Sequence, residues 1–254
     1  MPWALRVWRI SFATRWHCAA GGGGQPALPR GGPGRRGDTS RRGRRSGCWS
    51  PSRSYAVSWL EEVERALAAA PIRRLAAPPQ QRAAVLVPLF VHQGTLWTLL
   101  TRRSPGLPRP AGAIVFPGGL ARAGDEDEVA TALRETEEEL GIPQEEVAVL
   151  GQLSDVTSAA GPVISPVVGA IPWPVTLRVA AREVAELLPT PLVALFQPTL
   201  VERVEEEGPG GLVTSPVLHY GPRRIAGATA QVLLELLARL SGGLADGAAG
   251  PPIA

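Results

Sequence analysis

The chain's 254 residues carry 26 basic and 23 acidic side chains, a formal charge of +3, and 44% of them are hydrophobic, which suits one domain of ordinary size plus a tail. The charge is uneven: residues 1–54 hold eleven arginines and one acid, Asp38, whereas residues 55–254 hold fifteen arginines and twenty-two acids, a net of −7. The body therefore lacks the basic footprint of a nucleic-acid binder, and no apolar run approaches the ~20 residues that a membrane-spanning helix needs.

Residues 1–54 include "GGGGQPALPRGGPGRRGDTSRRGRRSG", Gly/Pro/Arg-rich and without apolar periodicity, which predicts a disordered extension. Three readings of it stand side by side: a tail for nucleic acid or an acidic surface, an Arg-rich organelle transit peptide, or an upstream reading frame joined by a wrong start, with Val57 as the alternative. Both cysteines, Cys18 and Cys48, lie in this segment, so the body from residue 55 to 254 contains neither disulfides nor a thiolate metal site.

The body opens on "SWLEEVERALAAAP", where Trp59, Leu60, Val63 and Leu67 recur at helical spacing and Pro71 ends the helix. "AAVLVPLFVH" (83–92) and "LWTLLTRR" (96–103) read as strands joined by a short turn. "GAIVFPGG" (112–119) reads as a third strand running into a glycine turn, followed by a helix from about Asp127 to Leu140. "EVAVLGQL" (146–153), "PVISPVVGAIPW" (162–173) and "LVTSPVLHY" read as strands and "PTPLVALFQ" as a short helix. An amphipathic helix from Ala226 to Leu240 closes the domain. Strands and helices mix without a regular βαβ repeat, which points to an α+β fold or a mixed sheet flanked by helices. His92 and His219 are expected to be structural, and Trp59, Trp97 and Trp173 to pack in the core or at its rim.

The helix ending "ALRETEEELGIP" crowds Glu135, Glu137, Glu138 and Glu139 into five residues, where the helix dipole is already negative. At about 100° per residue, Val129, Leu133, Thr136 and Leu140 share a sector of roughly 60°, and Glu135, Glu138 and Glu139 cluster roughly 150° away. Glu137 lies apart from both. Gly141 is placed as the C-cap, with Pro143 beyond it. Like charges at these spacings cost a few tenths of a kcal/mol per pair; a divalent cation such as Mg²⁺ or Mn²⁺, which prefers several carboxylate oxygens, would offset that cost. The tight turn "FPGG" could bring backbone carbonyls, Gly119 among them, to the same ion, and Arg134 could orient one of the acids. A solvated acidic face is the alternative.

These residues resemble the signature of the Nudix hydrolases: Gly, five residues, Glu, seven residues, then Arg-Glu-U-x-Glu-Glu-x-Gly-U, with U bulky and apolar. Glu126 is followed at the required distance by Arg134, Glu135, Glu138, Glu139 and Gly141. Thr136 replaces the apolar U, and Gly119 precedes Glu126 by six residues. That longer form resembles the coenzyme A diphosphatase branch. So does the upstream stretch "LLTRRSPGLPRPAGAIVFPGG", in which Leu99, Leu100, Thr101, Arg103, Ser104, Gly112, Phe116, Pro117, Gly118 and Gly119 fall in register. Pro108 stands where that motif has an arginine, with Arg109 beside it. The ending "PVLHYGPRRIAGATAQVLLELLARL" also resembles that branch, and the similarity spans about 57–240.

The resemblance implies a Nudix-type α/β/α sandwich with a mixed sheet, and Mg²⁺- or Mn²⁺-dependent hydrolysis of coenzyme A or its derivatives to 3′,5′-ADP and 4′-phosphopantetheine. The catalytic set would be Arg134, Glu135, Glu138 and Glu139. Metal would be held by the three glutamates with Gly119, and substrate by Arg103, Ser104, Arg109 and Phe116. The general base is left open among a box glutamate, Glu183 and Glu186. A small nucleotide is the expected partner, with a homodimer open and the cytoplasm as the expected location unless the extension directs import. Two alternatives remain: a Nudix hydrolase for ADP-ribose or NADH, and a non-catalytic Nudix module.

Overall fold

The strand β1 (Arg82–His92) alternates its side chains between two cores: Val87 and Leu89 belong to one cluster, Ala84, Leu86 and Phe90 to the other. That period of two places the strand between two layers. The structure is a computed structural model and describes residues 53–107, 112–157, 161–208 and 211–242. The expected extension thus falls outside the described residues apart from Arg53 and Ser54, which open the helix α1 (Arg53–Ala68). Arg109 and Pro108 also lie outside them.

β1 forms a hairpin with β2 (Thr95–Arg103), His92 facing Thr95. The segment expected as one strand over 112–119 is two, β3 (Ile114–Val115) and β4 (Gly118–Leu120). β3 pairs with β2, whereas β4 crosses to pair antiparallel with the start of β1, Gly119 opposite Ala84. The break falls at Phe116–Pro117, where proline cannot donate to a ladder, and the Pro117 carbonyl instead accepts from the Leu86 N–H at 2.9 Å. After α2 (Glu128–Leu140) come β5 (Ala148–Gln152), β6 (Val156–Thr157) and β7 (Val163–Ala170). β7 runs parallel to β1 along eight residue pairs, from Arg82–Val163 to Leu89–Ala170. β8 (Val184–Pro191) pairs antiparallel with β2 and leads into a 3-10 turn at Leu192–Leu195. The mixed sheet thus runs β3-β2-β1-β7-β5, with β4, β6 and β8 attached to it. A second, three-stranded antiparallel sheet consists of β9 (Val201–Gly208), β10 (Gly211–Tyr220) and β11 (Arg223–Ala226), and α3 (Gly227–Leu240) follows.

One face of the mixed sheet packs against α1 and α3 through Val63, Leu67, Leu233, Leu236 and Leu240; the other packs against α2 through Ala132 and Leu140. This is the expected α+β arrangement, a mixed sheet between helices. The α3 side is fastened by Arg239, whose guanidinium donates to the carbonyls of Leu67 and Ala70, both at 2.7 Å, and pairs with Glu235. A cation therefore meets the orphan carbonyls where α1 ends. His92 accepts from the Trp173 indole, whose ring stacks on Phe90, and His219 pairs with Glu202 at 2.7 Å. No helix among the described residues is long and apolar enough to cross a membrane.

Candidate active site

Local sequence sets the limits of α2. Asp127 accepts from the Ala130 N–H as N-cap; Gly141 takes the left-handed conformation (φ 70°) as C-cap and donates to the Glu137 carbonyl. A side chain is disfavoured in that conformation and glycine is not. The helix face differs from expectation. Ala132, Thr136 and Leu140 form the stripe fully buried in the core. Beside it, one residue behind at each turn, Thr131, Glu135 and Glu139 form a second buried stripe; Glu135 is 7% and Glu139 6% exposed. Glu137 and Glu138 are exposed. Thr136, the departure from the apolar signature position, is accommodated because its hydroxyl donates to the Ala132 carbonyl one turn back, at 2.7 Å.

Two buried carboxylates on one helix need space and partners. β4 supplies the space. A Cβ on Gly119 would stand 2.5 Å from Glu135 Oε2 and 2.6 Å from its Cδ, so the absence of a side chain there lets the strand lie directly on the carboxylate. We expect Gly119→Ala to displace the Glu135 carboxylate and lower kcat about tenfold, with the melting temperature little changed; an unaltered kcat would mean that the close approach has no catalytic consequence.

Arginines supply the counter-charge. Arg134 grips Asp125 with two bonds, Nε to Oδ1 at 2.8 Å and Nη2 to Oδ2 at 2.9 Å. Its remaining nitrogen, Nη1, donates to Glu135 at 2.6 Å and to Glu138 at 3.2 Å. The Arg134 guanidinium, aided by the Arg122 N–H and the Thr131 hydroxyl, holds the Asp125 carboxyl well below the ordinary range against the opposing effect of burial. Arg122 takes both oxygens of Glu138, at 2.7 and 2.9 Å, and approaches Glu135 at 3.4 Å. Its hydrogen bonds are the main reason that the Glu138 carboxyl is lowered. Asp125 and Arg122 lie in the loop before α2, where no periodicity relates them to the helix, and the sequence reading did not find them. Glu135 and Glu138 share Arg134 Nη1 and the Arg122 guanidinium, and Glu139 lies near enough to Glu135 to feel its charge. Among the described residues, no three His, Cys, Asp or Glu side chains form a ready metal cage. Glu135 and Glu139 stay buried one turn apart, and Glu138 turns outward to the arginines.

Glu139 is the anomalous group. Burial pushes its carboxyl up to about 8, and the charges of Glu183 and Glu135 push the same way; the Gly118 N–H and the Arg103 charge only partly oppose them. Its Oε2 is buried with no hydrogen-bond partner among the described residues. An ionised carboxylate in that setting is unstable unless a cation joins it. The donor set of hard oxygens from Glu135, Glu139 and the nearby Glu138 fits Mg²⁺ or Mn²⁺.

The chain after α2 brings in the remaining groups. The N–H groups of Arg178 and Ala180 donate to the terminal helix carbonyls of Leu140 and Glu139, both at 2.8 Å. The Ser104 N–H then donates to the Glu183 carbonyl at 2.9 Å. Glu183 is thereby held close to Glu139, whereas Glu186 pairs with Arg102 at 2.8 Å and lies 3.9 Å from Arg223. Arg103, at the end of β2, lies near enough for its charge to act on Glu139, and its Nε is buried without a partner among the described residues. Two of the residues expected to contact substrate have partners within the protein. The Ser104 hydroxyl donates to the Ala181 carbonyl, so it pins the loop. Phe116 is 3% exposed and packs in the core cluster of α1 and α3, because the strand break at Pro117 turns its ring inward.

Residues 80–191 match the NUDIX domain. The chain is 44% identical over 123 residues to the "Uncharacterized Nudix hydrolase NudL" of Photorhabdus laumondii, covering 45% of this chain and 65% of that protein. It is 38% identical over 162 residues to the protein of the same name from Pectobacterium atrosepticum, covering 64% and 84%. The crystal structure of a MutT/nudix family protein from Enterococcus faecalis aligns over 76% of this chain and 70% of that one, at 18% identity and a TM-score of 0.46. The matched stretch thus spans just under two thirds of one curated relative and more than four fifths of another. With the arginine-clamped glutamates on α2 and the glycine strand laid against them, the 38% identity over 84% of the Pectobacterium protein establishes that the chain belongs to the Nudix hydrolase family.

Proposed function

We propose that the chain hydrolyses the pyrophosphate bond of coenzyme A or its derivatives, yielding 3′,5′-ADP and 4′-phosphopantetheine, with Mg²⁺ or Mn²⁺ as cofactor. The observation that carries the reading is Arg103. It comes from the upstream motif, not from the helix signature, yet its charge reaches Glu139 and its buried Nε has no partner among the described residues. That is an unsatisfied cationic donor held beside the carboxylates, and a guanidinium is the side chain suited to pairing with phosphate.

Glu135 and Glu139, with Glu138 and the Gly119 carbonyl, are the residues that would hold the cation, and its chemistry there is to neutralise the pyrophosphate oxygens and to make water more acidic. Arg134, itself locked by Asp125, fixes the Glu135 carboxylate in place. Arg103 binds substrate phosphate. Glu183 is the acid outside the helix placed to accept a proton beside Glu139, while Glu186 is held away by Arg102. The small nucleotide is the only partner that this chemistry requires; a cytoplasmic location and a dispensable segment 1–54 belong to the same proposal.

Coenzyme A carries a 3′-phosphate that dephospho-coenzyme A and ADP-ribose lack. A charge-assisted bond to that group is worth very roughly 1.5–3 kcal/mol in a dry site, and its low end applies to a site open to solvent. Assays of coenzyme A, dephospho-coenzyme A, ADP-ribose and NADH with Mg²⁺ or Mn²⁺ are expected to show the highest kcat/KM for coenzyme A. Arg103→Ala should shrink the preference for coenzyme A over its dephospho form about tenfold. Faster cleavage of ADP-ribose than of coenzyme A would remove the substrate assignment and leave the family.

A further inference from the structure

Arg122 is fixed at its backbone and exposed at its head. Its N–H donates to Asp125 Oδ2 at 2.9 Å and its carbonyl accepts from the Asp125 N–H at 3.1 Å. Asp125 is in turn clamped by the two bonds from Arg134. The side chain, by contrast, is 57% exposed, and its guanidinium covers both oxygens of Glu138 while reaching Glu135 at 3.4 Å. Arg134 differs in each respect: its side chain is 19% exposed and Asp125 holds two of its three nitrogens. The site therefore contains one part-buried, doubly held guanidinium and one solvent-exposed guanidinium on the same carboxylate.

We infer that Arg122 is a resident counter-cation that Glu138 exchanges for the metal, and that the guanidinium so released becomes a ligand for the pyrophosphate of the substrate. The inference rests on Glu138 being a metal ligand. A cation that takes a Glu138 oxygen competes with Arg122, because Arg122 occupies both of them. The displaced head cannot leave, since residues 122–125 are tied to Arg134 through Asp125. It stays at the exposed rim of the metal site, where the oxygens of an arriving pyrophosphate carry negative charge and a planar guanidinium pairs with two of them at once. One side chain thus weakens metal binding and strengthens anion binding. A purely structural ion pair would not give these opposite signs.

The test uses the full chain and two binding measurements that need no turnover. Mn²⁺ is titrated against apo-protein and free Mn²⁺ is followed by electron paramagnetic resonance. The non-hydrolysed analogue imidodiphosphate is titrated calorimetrically against Mn²⁺-saturated protein. Arg122→Ala is expected to bind Mn²⁺ about two- to fivefold more tightly, the range of an exposed ion pair. The same variant should bind imidodiphosphate roughly tenfold more weakly, the low end for a charge-assisted bond, and with a shallower dependence on salt. Arg122→Lys, which keeps the charge, should recover part of the imidodiphosphate affinity. Weaker or unchanged Mn²⁺ binding by Arg122→Ala, or unchanged imidodiphosphate binding, overturns the inference. Glu138→Gln in the same Mn²⁺ titration separates the two levels. If it weakens Mn²⁺ binding while Arg122→Ala does not tighten it, only the exchange is wrong. If it leaves Mn²⁺ binding intact, the assignment of Glu138 as a ligand falls, and the exchange falls with it.

Discussion

Glu139→Gln is expected to lower kcat by at least ~10²-fold while the protein melts no earlier than wild type. The substitution keeps the shape of the side chain, and an amide costs less to bury than a carboxylate. The wild-type carboxylate is destabilised where it stands: burial and the charges of Glu183 and Glu135 push it up to about 8. A carboxyl that binds its proton more tightly folded than unfolded contributes stability below its unfolded value, and that contribution is lost as the pH rises to the folded value. Wild-type protein in chelator should therefore lose stability from about pH 4 to pH 8, and Glu139→Gln should flatten that slope. Glu137→Gln is the control. Its side chain is exposed and bonded to the Gln144 amide at 2.7 Å, away from Asp125, Arg134 and Arg122, so its kcat should stay within about twofold of wild type. Equal losses at positions 137 and 139 would refute the assignment of separate helix faces.

The second large effect lies outside the site. Asp155 is fully buried. One of its oxygens accepts from Arg74 at 2.8 Å and from the Ser165 hydroxyl at 2.9 Å; the other accepts from the Leu75 N–H at 2.9 Å, with Arg82 at 3.9 Å. The carboxylate fastens the chain between α1 and β1 to the start of β6. Asp155→Asn would turn an amide NH₂ towards a donor whichever way it flips, Arg74 and the Ser165 hydroxyl on one side or the Leu75 N–H on the other. We expect a loss of about 2–3 kcal/mol in urea unfolding at pH 7, or roughly 5–10 °C in melting temperature, with kcat of the folded protein unchanged. Burial would raise the Asp155 carboxyl, but the Leu75 N–H, Arg74 and Ser165 outweigh it and hold the carboxyl below its ordinary value. For a depressed carboxylate the stabilisation is present above the unfolded value, near 3.9, and is lost as the pH falls through the folded value. The gap between wild type and Asp155→Asn should therefore narrow below about pH 4; a gap independent of acid would mean that packing, not charge, accounts for it.

What sequence determined in this protein is what neighbouring residues decide among themselves. The limits of α2 follow from Asp127 and Gly141, because capping is a contact within one turn of helix. The β1–β2 hairpin follows from two apolar runs and a short turn. The Nudix signature is a fixed spacing on one helix, so it was legible with no knowledge of what packs on that helix. Strands β8 and β9 were not legible. "VAELLPTP" and "VERVEEEG" show no clean apolar alternation at their ends, and their partners β2 and β10 supply the ladders. The chemistry of the carboxylates was not legible either. Helical geometry groups Glu135, Glu138 and Glu139, but only the crossing of β4 over α2 buries two of them and leaves the third outside, because Gly119 admits the Glu135 carboxylate where a side chain would collide. Arg122 and Asp125 reach the site from a loop, and Phe116 leaves it for the core, through contacts between segments distant in sequence. The spacing of charged residues is a local property; the dielectric around each of them, and hence which carboxylate calls for a cation, is set by the tertiary packing that excludes water.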